Sequence, residues 1–221
     1  MSVTGAPDSG ATAGERLAMD SRRDPRFTLL FRAAKLVAPS GEYLCILRDA
    51  SVSGVRAQLF HALPPHQHFV LEMPNGDRHA IEAVWEHDGY AGFRFAQPID
   101  LARLIGDSGP YPKRPVRLAV DVPVTVAGLG EPASAMIRNF SQHGMRIDCT
   151  ARFAIDQRVR IASELLPELN GRVRWRKDNA YGLVLDRTFR FEELAQLVWA
   201  LHTIGGAEAE GRPAQNGEQI T

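Results

Sequence analysis

The chain of 221 residues carries 26 basic and 26 acidic side chains, so no overall charge draws it toward nucleic acid or a membrane surface. An apolar fraction of 44% and a charged fraction of 24% are those of an ordinary globular protein. No apolar run approaches the ~20 residues that span a bilayer. We therefore expect a cytoplasmic protein with no nucleic-acid polymer as partner and no membrane insertion.

The first half of the chain predicts short strands after a polar tail. Residues 1–20 are rich in Ser, Thr, Ala and Gly without periodicity, which predicts disorder, and they lack the pattern of a secretion signal. Tyr43–Arg48 is a short apolar run before a polar turn, and Val55–Phe60 follows as a return strand. Pro74-Asn-Gly-Asp77 is typical of a tight turn between antiparallel strands. Ile99–Ile105 predicts a short helix.

The second half follows a Gly/Pro-rich linker at residues 106–112. Apolar residues alternate from Leu118 to Val126, which predicts a half-buried strand. Phe191–His202 has the apolar stripe of an amphipathic helix, and residues 204–221 resemble the first tail. Each helix would cap its own barrel or, alternatively, dock a partner.

A motif shared by the two halves recurs at a fixed offset of 90 residues. Asp49-Ala-Ser-Val-Ser-Gly54 becomes Asn139-Phe-Ser-Gln-His-Gly144. Four further pairs keep this offset: Arg48 and Arg138, Arg56 and Arg146, Trp85 and Trp175, Gly92 and Gly182. We therefore predict a tandem duplication. The fold class is mainly β, with two small six-stranded antiparallel barrels at residues 21–105 and 113–203, each followed by a short C-terminal helix.

Cationic residues precede the first strand of each repeat and suggest an anionic ligand. The segments are Arg22-Arg23-Asp-Pro-Arg26 and Lys113-Arg114-Pro-Val-Arg117. Arginine donates bidentate hydrogen bonds to phosphate or to a guanine edge, and its plane stacks on a purine. Asp49 can accept from guanine N1 and N2, Ser51 can meet phosphate or base, and Gly54 permits positive φ and a close backbone approach. Together these groups favour a guanine-nucleotide site.

The Arg-x-x-x-Arg segment, followed some 25 residues later by Asp/Asn-x-Ser-x-x-Gly, resembles the PilZ domain. PilZ domains are six-stranded barrels that act as bacterial receptors for cyclic di-GMP. The resemblance implies ligand-binding residues in domain 1, namely Arg22, Arg23, Arg26, Asp49, Ser51 and Gly54. The corresponding residues of domain 2 are Lys113, Arg114, Arg117, Asn139, Ser141 and Gly144. Because Lys113 lacks the planar fork of arginine, we expect the ligand mainly in domain 1.

The resemblance implies a non-enzymatic receptor that passes the signal to an unidentified protein partner when the ligand orders the arginine segment. The alternative is a ligand-free interaction module. In that case the arginines are a solvated charge cluster, and Asp49-x-Ser51 is a turn that satisfies its own backbone.

The remaining reactive residues predict no cofactor, metal or catalytic centre. His66 and His68 would share a strand face without a third ligand, so an exposed polar face is expected. Trp85 and Trp175 are interpreted as barrel core or mouth residues, with base stacking as the alternative. The two cysteines, Cys45 and Cys149, are expected to be buried and reduced.

Overall fold

The computed structural model describes residues 27–105 and 115–210, with side chains described for 32–104 and 115–203. The first half contains six strands and a short helix: β1 Phe27–Ala38, β2 Gly41–Ala50, β3 Gly54–Gln58, β4 His68–Glu72, β5 Arg78–His87, β6 Tyr90–Phe95 and α1 Leu101–Ile105. The second half contains the same series: β7 Leu118–Ala127, β8 Ala133–Ser141, β9 Gly144–Cys149, β10 Arg158–Ala162, β11 Leu169–Lys177, β12 Ala180–Leu185 and α2 Phe191–Glu210.

Each set of strands closes into its own antiparallel barrel. The order is β1-β2-β3-β6-β5-β4 in the first barrel, and β7-β8-β9-β12-β11-β10 in the second, with the end strands paired in both. The two rings have the same connectivity and share no strand. The predicted tandem of six-stranded barrels is confirmed.

Local sequence explains the strand faces and turns. Buried and exposed residues alternate strictly along Leu118–Val126, as the period-2 pattern predicts. Between β4 and β5, Gly76 takes φ 90°, and the side chain of Asn75 accepts a hydrogen bond from the Asp77 amide at 3.0 Å. This confirms the predicted tight turn.

A β-bulge near the start of each barrel explains why the cationic segments are 91 residues apart, while the motif and the other repeated residues that follow are 90 apart. Thr28 pairs with Asp49 before the first bulge, and Ala119 pairs with Asn139 before the second. The register resumes at Arg32 in the first barrel but already at Val122 in the second. The first bulge therefore contains one more residue than the second, which accounts for the 91-residue spacing of Arg26 and Arg117 in the sequence.

Helix α2 both caps the second barrel and contacts the first. Leu194, Val198 and Leu201 belong to the core of the second barrel, whereas Trp199 packs against the core of the first. The helix continues to Glu210, beyond the predicted end at His202. The expectation that the helix caps its own barrel is thus confirmed for α2, and its contact with the neighbouring barrel was not predicted.

The contact surface between the barrels, called the seam below, also includes β2. Leu44 lies on β2 of the first barrel but packs in the core cluster of the second. The His202 Nε2 donates to the Glu42 carbonyl oxygen at 3.2 Å, and the Tyr43 and His202 rings lie 5.2 Å apart. Direct side-chain packing therefore fixes the two barrels against each other.

Candidate ligand-binding site

The serine and glycine of each motif close the turn between the second and third strands of the barrel. The Ser51 amide donates to the Gly54 carbonyl oxygen at 2.7 Å, and the Gly54 amide donates to Ser51 Oγ at 3.1 Å. In the second barrel, Ser141 Oγ donates to the Gly144 carbonyl oxygen at 2.9 Å. Part of the motif thus stabilises its own backbone, as the turn interpretation predicts.

The motif glycines are required by close packing. A Cβ on Gly54 would lie 2.8 Å from the Phe93 carbonyl oxygen, and one on Gly144 would overlap the Leu183 carbonyl. Neither glycine has positive φ, so that part of the prediction is wrong. The close backbone approach is confirmed.

In the first barrel, the motif carboxylate already has a cationic partner. Asp49 is only 9% exposed, and its Oδ2 lies 2.6 Å from Arg56 Nε. The Arg56 guanidinium also lies 5.3 Å from the centroid of the Tyr90 ring. The predicted partners Arg22, Arg23 and Arg26 lie outside the described residues.

In the second barrel, four of the predicted residues line one pocket of about 210 Å³. They are Arg117, Asn139, Ser141 and Gly144. The other lining residues come mainly from β9, β11 and β12: Pro115, His143, Met145, Arg146, Arg174, Trp175, Gly182, Leu183 and Val184. Lys113 and Arg114 lie outside the described residues, just before Pro115 at the pocket edge.

The second-barrel pocket is cationic because the second repeat has its acidic residue at a different position from the first. The motif has Asn139 where the first repeat has Asp49, whereas Asp148 replaces Gln58. Asp148 lies outside the pocket lining and pairs with Arg146 at 3.2 Å. The lining includes three arginines and no carboxylate among the residues that the structure describes. Such a pocket favours an anionic ligand.

The two landmark tryptophans lie on the outer faces of the barrels. Trp85 is 42% exposed and Trp175 is 39% exposed, so their placement in the barrel core is wrong. Each indole covers a glycine of the neighbouring strand, since a Cβ on Gly92 or Gly182 would overlap the ring. Trp175 is thereby held in the wall of the second-barrel pocket.

Three residues of the pocket lining, Arg146, Arg174 and His143, are not among the site residues predicted from the motifs. Arg146 was detectable, because it recurs at the fixed offset next to the motif. Arg174 was not, because its counterpart in the first repeat is Val84. His143 lies within the motif at a position that the pattern leaves variable.

Other candidate chemistry is not supported by the described parts of the chain. His66 Nε2 lies 2.8 Å from Ser40 Oγ, and no group of three potential metal ligands occurs in the described ranges. No helix in residues 27–105 or 115–210 is long and apolar enough to cross a membrane. Both cysteines are buried and free, as predicted.

The family model described as "PilZ domain" matches residues 113–201, which include the second barrel and most of α2. No curated protein sequence matches the chain significantly. Solved structures similar to this chain include the Borreliella burgdorferi PlzA protein in complex with c-di-GMP, with 11% identity, TM-score 0.32, and coverage of 78% of this chain and 88% of PlzA. YcgR from Escherichia coli in complex with c-di-GMP has 11% identity and TM-score 0.31, with 81% and 87% covered. The Bacillus subtilis inhibitor of motility MotI/DgrA has 11% identity and TM-score 0.33, with 84% and 100% covered.

Proposed function

We propose, from the premise that the second barrel is a PilZ domain, that this chain is a receptor for cyclic di-GMP. The site we propose is the second-barrel pocket. The observation that carries the proposal is the convergence of Arg117 with Asn139, Ser141 and Gly144 around that pocket. These residues come from the two separate sequence motifs.

The chemistry of the lining suits a cyclic dinucleotide with two phosphates and two guanines. Arg117, Arg146 and Arg174 can donate paired hydrogen bonds to phosphate oxygens or to guanine O6 and N7. Asn139 offers one acceptor for guanine N1 or N2, and its amide can donate to guanine O6. The exposed face of Trp175 can stack on a base.

The sequence predicted that domain 1 is the main site, and this stays a prediction. A ligand there would compete with Arg56 for Asp49. In the second barrel Asn139 is uncharged, and Asp148, the acid that pairs with Arg146, lies outside the pocket lining. This difference, together with the pocket, makes the second barrel our preferred site. Signalling through a protein partner in the cytoplasm belongs to the same proposal, and a ligand-free interaction module remains the alternative.

Calorimetric titration of the full chain with cyclic di-GMP tests the proposal. Arg117→Ala should weaken binding tenfold or more, because a hydrogen bond to a charged group contributes about 1.5–3 kcal/mol. Asn139→Ala should weaken it by a smaller factor, because a hydrogen bond between neutral groups contributes about 0.5–1.5 kcal/mol. The matched variants Arg26→Ala and Asp49→Ala address the first barrel. Arg158→Ala removes an exposed arginine outside the pocket lining and serves as the charge control.

The pattern of losses decides between the sites. Losses confined to the Arg117 and Asn139 variants support the second-barrel site. Losses confined to the Arg26 and Asp49 variants place the ligand in the first barrel. No binding by the unaltered protein would favour the interaction module.

A further inference from the structure

Glu42 belongs to the first barrel, yet its carboxylate reaches the second. It lies on β2, and its Oε2 accepts a hydrogen bond from the Ala119 amide at 2.7 Å. The same oxygen lies 3.1 Å from Lys35 Nζ, and Lys35 also pairs with Glu72 at 2.7 Å. The Glu42 side chain is only 20% exposed, so water competes weakly for these contacts.

The partner amide lies next to the proposed ligand site. Ala119 is two residues after Arg117 and is the cross-strand partner of Asn139. Leu118 between them is fully buried and pairs with Phe140. The hydrogen bond to the Ala119 amide therefore restricts the position of the backbone at the start of β7, and with it the position of the Arg117 Cα atom.

Glu42 has no equivalent in the second repeat. The residue 90 positions later is Pro132, and the counterpart of Lys35 is Thr125. A barrel of this topology thus forms without a carboxylate at that position. Besides its ion pair with Lys35 inside the first barrel, the carboxylate makes a contact that exists only between the two barrels.

We infer that Glu42 of the first barrel is a positioning residue for the ligand site of the second, because it anchors the start of β7, which directly follows Arg117. The inference rests on the proposed binding of cyclic di-GMP in the second-barrel pocket. The first barrel then contributes to affinity without touching the ligand. The coupling is reciprocal, so ligand binding strengthens the contact between the barrels.

Three substitutions in the full chain separate the effect of the Glu42 side-chain length from the effect of its charge. Glu42→Asp keeps the charge but is one methylene too short for the Ala119 amide, so it should weaken cyclic di-GMP binding about fivefold or more. Glu42→Gln keeps an oxygen acceptor at full length and should bind nearly as well as the parent. Lys35→Ala removes the ion pair but leaves the Glu42–Ala119 hydrogen bond, and should also bind normally.

Hydrogen exchange gives a readout that a general loss of stability would not reproduce. In Glu42→Asp, the Ala119 amide should exchange faster while the amides of β11 and β12 stay protected, and Glu42→Gln should restore its protection. Equal affinity of the Asp variant and the parent would overturn the inference, as would weak binding by the Gln variant. If the unaltered protein does not bind cyclic di-GMP, the proposed function fails, and the exchange data then show an anchor without a ligand site.

Discussion

Replacing Leu44 tests whether the first barrel supplies part of the second barrel's core. Leu44 is 1% exposed and belongs by sequence to β2, but it packs in the core cluster of the second barrel. Truncating a buried leucine to alanine costs about 2–5 kcal/mol, because the transfer energy is lost and a cavity remains. Leu44→Ala should therefore destabilise the second barrel by an amount in that range.

Leu47 provides a matched control on the same strand. It is fully buried in the core of the first barrel, so Leu47→Ala should have a similar cost but a different location. Native-state hydrogen exchange separates the two: Leu44→Ala should lower protection in β7 and α2, whereas Leu47→Ala should lower it in β3 and β6. If both variants change only the amides of the first barrel, the seam contributes no core packing and the reasoning is refuted.

Three further predictions concern the seam, the pocket wall and a buried thiol. Burial lowers the pKa of both His61 and His202, so the stability that the folded protein gains from keeping these rings neutral is present above about pH 6.5 and is lost as pH falls through the lowered values. The melting temperature should therefore fall on acidification, and His202→Gln should reduce that fall. An identical pH profile in the variant would contradict this expectation. Gly182→Ala should push the Trp175 indole out of the pocket wall and weaken cyclic di-GMP binding in calorimetry. The matched change Gly92→Ala in the first barrel should weaken it less, and equal effects of the two changes would count against the second-barrel pocket. Burial raises the pKa of the Cys45 thiol to about 12. In the variant Cys149→Ser, a disulfide reagent at pH 8 should therefore react with Cys45 only after unfolding, whereas rapid reaction of the native protein would show that the thiol is accessible.

The duplication made the fold readable from the sequence. One apolar run or one turn could belong to many folds, but the same Asp/Asn-x-Ser-x-x-Gly turn, tryptophan and glycine at one offset fixed the order of strands twice. The bulge that shifts the offset from 90 to 91 could only be located from strand pairing, because an inserted residue in a bulge has no distinctive side chain.

The seam could not be predicted in the same way. The apolar run Tyr43–Arg48 predicts a strand with buried side chains, but not which barrel surrounds each of them. That Leu44 packs in the second barrel could therefore not be predicted. The amphipathic stripe of α2 indicated a buried face, while Trp199 and His202, which contact the neighbouring barrel, lie beside that stripe and carried no signal of their own.

The candidate site was predicted in part, because motifs report shared chemistry and miss what differs between copies. Arg117, Asn139, Ser141 and Gly144 were found through the repeat. The preference for domain 1 rested on Lys113 alone. The sequence shows Asn139 in place of Asp49 and Asp148 in place of Gln58, but not that Asp148 lies outside the pocket, since cross-strand neighbours are distant in sequence.

The three tryptophans of the chain form a set of optical sensors already built into the protein. Trp85 and Trp175 occupy equivalent outer faces of the two barrels, whereas Trp199 stacks on His61 with 6.1 Å between ring centroids. Variants that keep a single tryptophan would give separate emission signals for the first barrel, the ligand pocket and the seam. Because a protonated imidazole quenches indole emission, Trp199 would also report the charge of His61. A titration with cyclic di-GMP and the protonation of His61 could then be followed in the same sample without an added dye.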